Sequence, residues 1–277
     1  RHFVPREFGD NDRMTPEPTA SVPATGVPRG VVLQAFNAML QPERFKDYGP
    51  NGLQVEGRPE IRKIVSSVTA SRALIEAAIA AGADAVFVHH GLFWRGQDGC
   101  VTGWMKQRLA LLLAHDVNLF AYHLPLDAHP LWGNNAQLGQ LLGLQVDARF
   151  GEQDLGFVGG WVEGVAPLTG PEMVRHLERR LGRTPVCVGG SPGPIHRIAW
   201  CSGGAQGYFE AAIAAGAQVF ITGEISEPQA HLARECGVGF FACGHHATER
   251  LGAPAVASQV ASELGLAHEF IEIDNPA

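Results

Sequence analysis

The stretch Val86-Phe87-Val88-His89-His90-Gly91-Leu92-Phe93-Trp94 decides how the chain is read. Its apolar, partly β-branched start fits a strand buried on both faces, as in parallel sheets. The run then meets two adjacent histidines and a glycine. In open α/β sheets, ligands bind at the carboxyl ends of the strands, and neutral imidazole is a common ligand for Zn, Fe, Ni or Cu. Successive residues of an extended strand point to opposite faces. Both histidines serve one site only if the strand stops there and the backbone turns, which Gly91 permits. Two readings stay open from this stretch alone: metal ligation, or strand-end histidines satisfied by backbone carbonyls.

Working outward, residues 61–68 (IRKIVSSV) read as a strand, and Ser71 can cap a helix over residues 72–81 that ends at Gly82. A helix over 107–114 and a short apolar strand over 118–122 follow. Strands alternating with helices of this length indicate βαβ units in a largely parallel sheet. Upstream, residues 31–40 have helical spacing, and residues 46–57 (KDYGPNGLQVEG) carry the turn chemistry of a plain loop leading into a strand. Residues 1–28, rich in Pro, Thr, Ala and charge, read as a disordered tail. Met14 offers a start that would leave residues 1–13 outside the natural protein.

Residues 128–194 form a different block. Asn134 and Asn135 cap a short helix ending near Gly143, a strand spans 156–165, a helix 171–181 and a strand 185–188. Gly189-Gly190-Ser191-Pro192-Gly193-Pro194 reads as a linker, lacking the spacing of a phosphate loop. After it the pattern repeats. Residues 195–201 (IHRIAWC) match 61–67 (IRKIVSS), and residues 210–217 are identical to 76–83 (EAAIAAGA). The expected architecture is α/β: two similar lobes from an internal duplication, residues 29–127 and 195–277, with a metal site between them.

Both copies place a histidine and a carboxylate four residues apart just past a strand end: His123 with Asp127, and His245 with Glu249. On a helix that spacing shares a face. Pro125 argues that Asp127 sits on a turn instead. The candidate ligand set is His89, His90, Asp127, His245 and Glu249, with His123 nearby. Mixed imidazole and carboxylate ligands suit Zn, Fe, Mn, Co or Ni. Five of them exceed a closed tetrahedral site and fit two divalent ions about 3.5–4 Å apart. Glu224 and Glu227, on a loop after the second-copy strand, are candidate proton carriers or a solvated acidic turn. Trp94, Trp104 and Trp132 could stack a purine or simply pack.

The chain has 277 residues and a net charge of -7 without a Lys/Arg block, which disfavours nucleic acid as partner. Five cysteines with no CxxC pair suggest reduced, buried thiols in a cytoplasmic protein. No run approaches transmembrane length and no signal-peptide core is seen.

FVHHGLFW, YHLPLDAHPLWGNNAQLG, GEISEPQAHLARECGV, GHHATERLG and PNGLQVEG together resemble the dinuclear-metal family of GTP cyclohydrolase type-2 homologues, the NGG-one-interacting-factor-three-like family. The likeness runs from about residue 31 to the C-terminus. It implies two α/β lobes with a two-metal site between them in a toroidal homohexamer. By motif it implies that His90 and Asp127 hold one ion, that His89 and His245 hold the other, and that Glu249 bridges both. It places His123 behind the ligands and gives His246 no role. Two functions are then open: a metal-dependent hydrolase of a nucleotide or other small phosphorylated or cyclic compound, or a non-enzymatic metal-binding scaffold.

Overall fold

The structure is a computed structural model that describes residues 25–190 and 192–277. The tail expected over residues 1–28 lies outside the described residues as far as residue 24. Its end is ordered, since Val27–Pro28 forms strand β1. Ser191 of the expected linker also lies outside the described residues.

After β1 come α1 (Arg29–Leu40), β2 (Gly52–Val55), β3 (Glu60–Ile61), β4 (Lys63–Thr69), α2 (Arg72–Ala80), β5 (Ala85–His90) and α3 (Gly103–Ala114). Then follow β6 (Asn118–Ala121), the one-turn α4 (Leu124–Ala128), α5 (Asn134–Leu142), β7 (Leu144–Phe150), β8 (Gly156–Trp161), α6 (Gly170–Leu181) and β9 (Val186–Val188). The rest comprises β10 (Ile198–Trp200), α7 (Phe209–Ala214), β11 (Val219–Thr222), α8 (Glu227–Cys236), β12 (Gly239–Ala242), the one-turn α9 (His245–Glu249), α10 (Gly252–Leu264) and β13 (Ala267–Phe270).

Two large sheets organise these elements, besides a short antiparallel pair of β1 and β3. The first has the order β13-β4-β5-β6-β2, with β13, β4, β5 and β6 parallel and β2 antiparallel at the edge. The second has the order β7-β8-β10-β11-β12-β9, with β10, β11 and β12 parallel at its centre. Each lobe thus carries a parallel core of at least three strands, and the fold is α/β. Val86, Phe87 and Val88 of β5 are fully buried, which is why the strand is apolar throughout. Phe87 stacks on Phe36 of α1 at 4.5 Å between ring centroids. Each such side chain stabilises the fold by about 1.5–3 kcal/mol. Ser71 caps α2 by accepting the Leu74 N–H, 3.1 Å.

The lobes are not contiguous stretches of sequence. β7, β8 and β9, from the block expected to stand between the lobes, complete the second sheet. α10 packs on β4, and β13 pairs in parallel with β4, so the chain returns to the first lobe after α9. The buried face of α10 is Ala253, Val256, Ala257, Val260 and Ala261, small enough for a close approach to the sheet. All five cysteines are free, but only Cys201 and Cys243 are buried. Burial of all five does not hold. No helix of the described residues is long and apolar enough to cross a membrane.

Near the end of the chain, His268 on β13 meets Ser66 Oγ at 2.8 Å. Burial pushes its imidazole down from 6.5 to about 4. Below pH 6.5 the unfolded chain binds a proton that the folded protein refuses. This stability is therefore intact above pH 6.5 and is lost as pH falls toward 4, by up to about 3 kcal/mol. His268→Gln should flatten the pH dependence of the urea midpoint across that window, and an unchanged slope rejects the assignment.

Candidate metal centre

β5 stops at His90, as the two-histidine reading requires, and its rings converge: the centroids of His89 and His90 are 4.5 Å apart. His89 is fully buried, and its Nδ1 donates to the Tyr122 carbonyl, 3.1 Å. His90 Nδ1 pairs with Thr69 Oγ1, 3.1 Å. His245, at the start of α9, donates from Nδ1 to Glu224 Oε1, 2.6 Å. A carbonyl and a carboxylate only accept, so in the neutral rings of His89 and His245 the Nδ1 carries the hydrogen and Nε2 is a bare lone pair. Partners of this kind fix the ring orientation of metal-ligating histidines.

The Nε2 atoms converge on two carboxylates. His89 Nε2 lies 3.5 Å from Asp127 Oδ1 and 3.4 Å from Glu249 Oε1. His90 Nε2 and His245 Nε2 lie 3.2 and 3.0 Å from Glu249 Oε2. Three groups of ligand atoms lie within 4.8 Å of one another among the described residues: His89–Asp127–Glu249 and His90–His245–Glu249, which share Glu249, and His89–His90–His123. His89 Nε2 and Glu249 Oε2 are two of four buried side-chain N or O atoms without a hydrogen-bond partner among the described residues. Facing acceptors cut off from water repel one another unless protons or a cation sit among them. The donor set therefore fits a metal cation.

Without cations, protons take that place. Burial opposes a charge on His89, but Asp127 and Glu249 outweigh it and raise its pKa to about 9. The hydrogen bond to Glu249, with help from Glu224 and against burial, raises His245 to about 9. Burial pushes His90 down to about 3 against the pull of Glu249. Burial alone would raise the Glu249 carboxyl, yet His89 and His90 hold it well below the ordinary range.

His89 lies beside Asp127 and Glu249, and His90 beside Glu249 and His245. The buried His89 reaches both Asp127 of α4 and Glu249 of α9, and the ring of the strand-end His90 lies 5.3 Å from that of His245. Asp127 sits on a one-turn helix, not on an irregular turn, because Pro125 occupies the first turn, where a missing N–H costs nothing. Asn134 and Asn135 do not cap α5, whose N-cap is Gly133 without a side-chain bond. Asn134 donates to Asp127 Oδ1, 2.9 Å, and Asn135 to the Asp127 carbonyl, 3.3 Å. Ser202 Oγ adds a 3.2 Å bond to the same Asp127 oxygen.

His123 stands beside the set, its ring 4.9 Å from His89. Its Nδ1 meets Asp47 Oδ1 at 2.7 Å, and its backbone N–H donates to Asn51 Oδ1, 2.7 Å. Asp47 and Asn51 read from sequence only as loop residues, and their signal was the PNGLQVEG motif and the turn before it. Glu224 is a partner of His245, while Glu227 is exposed and pairs with His231 at 2.8 Å. His246 pairs with Glu272 and points away from the set. A cavity of about 260 Å³ opens onto His90, His123, Asp127, His245 and Glu249. Trp94 lines it, while Trp104 is exposed on α3 and Trp132 packs on the first-lobe core.

A family model described as Duf34/NIF3 (NGG1p interacting factor 3) matches residues 29–276. A Neisseria meningitidis serogroup B protein named GTP cyclohydrolase 1 type 2 homolog is 52% identical over 241 residues, covering 87% of this chain and 96% of that protein. An Escherichia coli K12 protein of the same name is 47% identical over 245 residues, covering 88% and 97%. Among solved structures, a protein described as ybgI, of unknown function, superposes with a TM-score of 0.86 at 45% identity, covering 91% of this chain and all of that one. A Thermus thermophilus protein gives 0.77 at 31% identity, covering 91% and 100%. The chain belongs to the Duf34/NIF3 family.

Two variants test the centre. Gly203 packs against Glu249 at a φ of +69°, and a β-carbon there would collide with Glu249 Oε1. Gly203→Ala should strip metal from dialysed protein while far-UV circular dichroism stays unchanged, and full metal content would refute the crowding. Glu224→Gln removes the carboxylate behind His245 and should weaken metal affinity about 10–100-fold in a chelator competition. Wild-type affinity would show that this bond orients nothing.

Proposed function

We propose, from membership of that family and from the facing acceptor atoms, that this protein is a dinuclear metal-dependent hydrolase of a small nucleotide, phosphorylated or cyclic compound. The observation that supports it is a convergent set of three imidazole Nε2 atoms and two carboxylates, in which the buried His89 Nε2 and Glu249 Oε2 have no hydrogen-bonding partner among the described residues. Glu249 would bridge two ions, His89 and Asp127 completing one ligand group and His90 and His245 the other. Zn, Fe, Mn, Co or Ni suits such ligands. A bound pair of these ions supplies Lewis acidity and lowers the pKa of water toward neutrality.

The chain's own groups supply the rest. Asp47 holds His123 by Nδ1, which leaves its Nε2 free to carry a proton to or from a leaving group in the cavity. Glu224 fixes the ring of His245. Relatives named GTP cyclohydrolase 1 type 2 homolog make GTP the first compound to try. The near-complete burial of His89 and Glu249 favours a second reading, a scaffold that holds metal and turns nothing over. A toroidal homohexamer belongs to the same proposal.

Elemental analysis of purified protein should find two metal equivalents per chain. Zn-, Mn- and Fe-loaded protein should turn over GTP or a member of a phosphoester panel. His90→Ala should lose more than the about 10–100-fold that removal of an outer partner costs. Two tightly held ions with no turnover above the His90→Ala control would leave the scaffold reading in place.

A further inference from the structure

The turn between β7 and β8 is strained in a way that the ligand set does not need. Gln153 and Asp154 both lie in the left-handed region, at φ of +53° and +57°. Non-glycine residues persist there only where their surroundings impose it. The turn is anchored within its own lobe. The Tyr208 ring packs against Gly151, and its hydroxyl donates to the Glu152 carbonyl, 3.2 Å. Asn135 Nδ2 donates to the Leu155 carbonyl at 3.1 Å and to that of Asp127 at 3.3 Å, which ties the turn to the end of α4.

From that anchor Gln153 reaches the first lobe. Its Oε1 accepts the Lys46 N–H at 2.8 Å and its Nε2 donates to the Lys46 carbonyl at 3.2 Å. One side chain thus holds both backbone polar groups of a residue 107 positions away. Two bonds to one residue fix its orientation as well as its distance.

The next residue is Asp47, whose side chain is only 4% exposed. Its Oδ1 accepts the Tyr48 N–H at 2.6 Å and His123 Nδ1 at 2.7 Å. Its Oδ2 accepts Asn51 Nδ2 and the Leu124 N–H, both at 2.9 Å. Four donors saturate a carboxylate. Arg95 steadies the same loop, with Nη2 on the Asp47 carbonyl at 2.9 Å and its N–H on the Tyr48 carbonyl at 2.6 Å. The Asp47 carboxylate therefore joins this loop to the start of α4, and where it stands decides how the His123 ring is turned.

We propose that Gln153 is a positioning residue that acts across the lobe boundary: through Lys46 it places Asp47, and through Asp47 it aims the His123 imidazole into the cavity. The second lobe thereby orients a proton-carrying group of the first. The inference deepens the proposed function, in which His123 carries a proton, and the first of its two readouts does not depend on turnover.

Two variants remove the clamp without opposing the backbone. Gln153→Gly lacks the amide and suits a left-handed conformation. Gln153→Asn keeps an amide and tolerates that conformation, but it is one methylene short of Lys46. Both should retain the wild-type zinc content. In the Zn-loaded protein, amide hydrogen exchange over residues 122–126, where Asn51 and Asp47 hold the His123 and Leu124 N–H groups, should quicken about tenfold or more. Exchange over residues 245–249 should not change. With GTP or a phosphoester that the protein hydrolyses, kcat should fall about 10–100-fold in both variants at little-changed KM. Asp47→Asn should cost at least as much, and adding Gln153→Gly to it should cost nothing further, because the two residues act through one chain of bonds. Unchanged exchange over residues 122–126, loss of zinc, or additive losses in the double variant overturns the positioning. Quickened exchange without turnover of any compound removes the hydrolase reading and leaves the positioning standing. Turnover that neither variant alters does the reverse.

Discussion

The carboxylate of Glu249 is buried between imidazoles of two lobes, and the rest of the molecule is arranged around that constraint. Its Oε1 faces His89 and its Oε2 faces His90 and His245, all within 3.4 Å. Out of water such a cluster is tolerable only if positive charge lies inside it. The outer bonds from Tyr122, Thr69 and Glu224 then acquire a purpose. They occupy every Nδ1 and so turn every Nε2 inward.

Both sheets serve this convergence in the same manner. The parallel strands β5 and β6 of one lobe, and β11 and β12 of the other, end toward a shared cavity, where strand ends in α/β folds present their ligands. One-turn helices follow β6 and β12 and carry Asp127 and Glu249 at corresponding places. α5 lies between the lobes and packs against α4, α9 and α10. Its first two residues hold Asp127 with their amides, and Asn134 Oδ1 accepts the Gly252 N–H at 2.9 Å. A single short helix thereby connects one ligand to the start of the helix that returns to the first sheet.

What could be read from the sequence was local or periodic. β5 was legible because a strand buried on both faces must be apolar throughout, and Ser71 because a cap acts three residues away. The histidines and carboxylates stood out because each pair lies four residues apart just past a strand end. Distance in sequence hid the rest. Asp47 and Asn51 read as loop because their partner, His123, is more than seventy residues on. Asn134 and Asn135 had the composition of caps, but their amides found a stronger acceptor in Asp127. The return of β13 to β4 leaves no mark on either strand alone.

That return has a mechanical consequence. Two bodies joined by one length of chain can swing about it; here the polypeptide passes outward at α5 and back at α10, and residues beyond β13 touch the far side once more. Arg183 donates to the Pro276 carbonyl at 2.7 Å and the His246 N–H to the Ala277 carbonyl at 3.1 Å. With several tethers, hinging of the halves about a single length of chain is restrained. The cluster of His89, His90, His245 and Glu249 thus straddles a boundary that the chain crosses twice and that its last residues bind again.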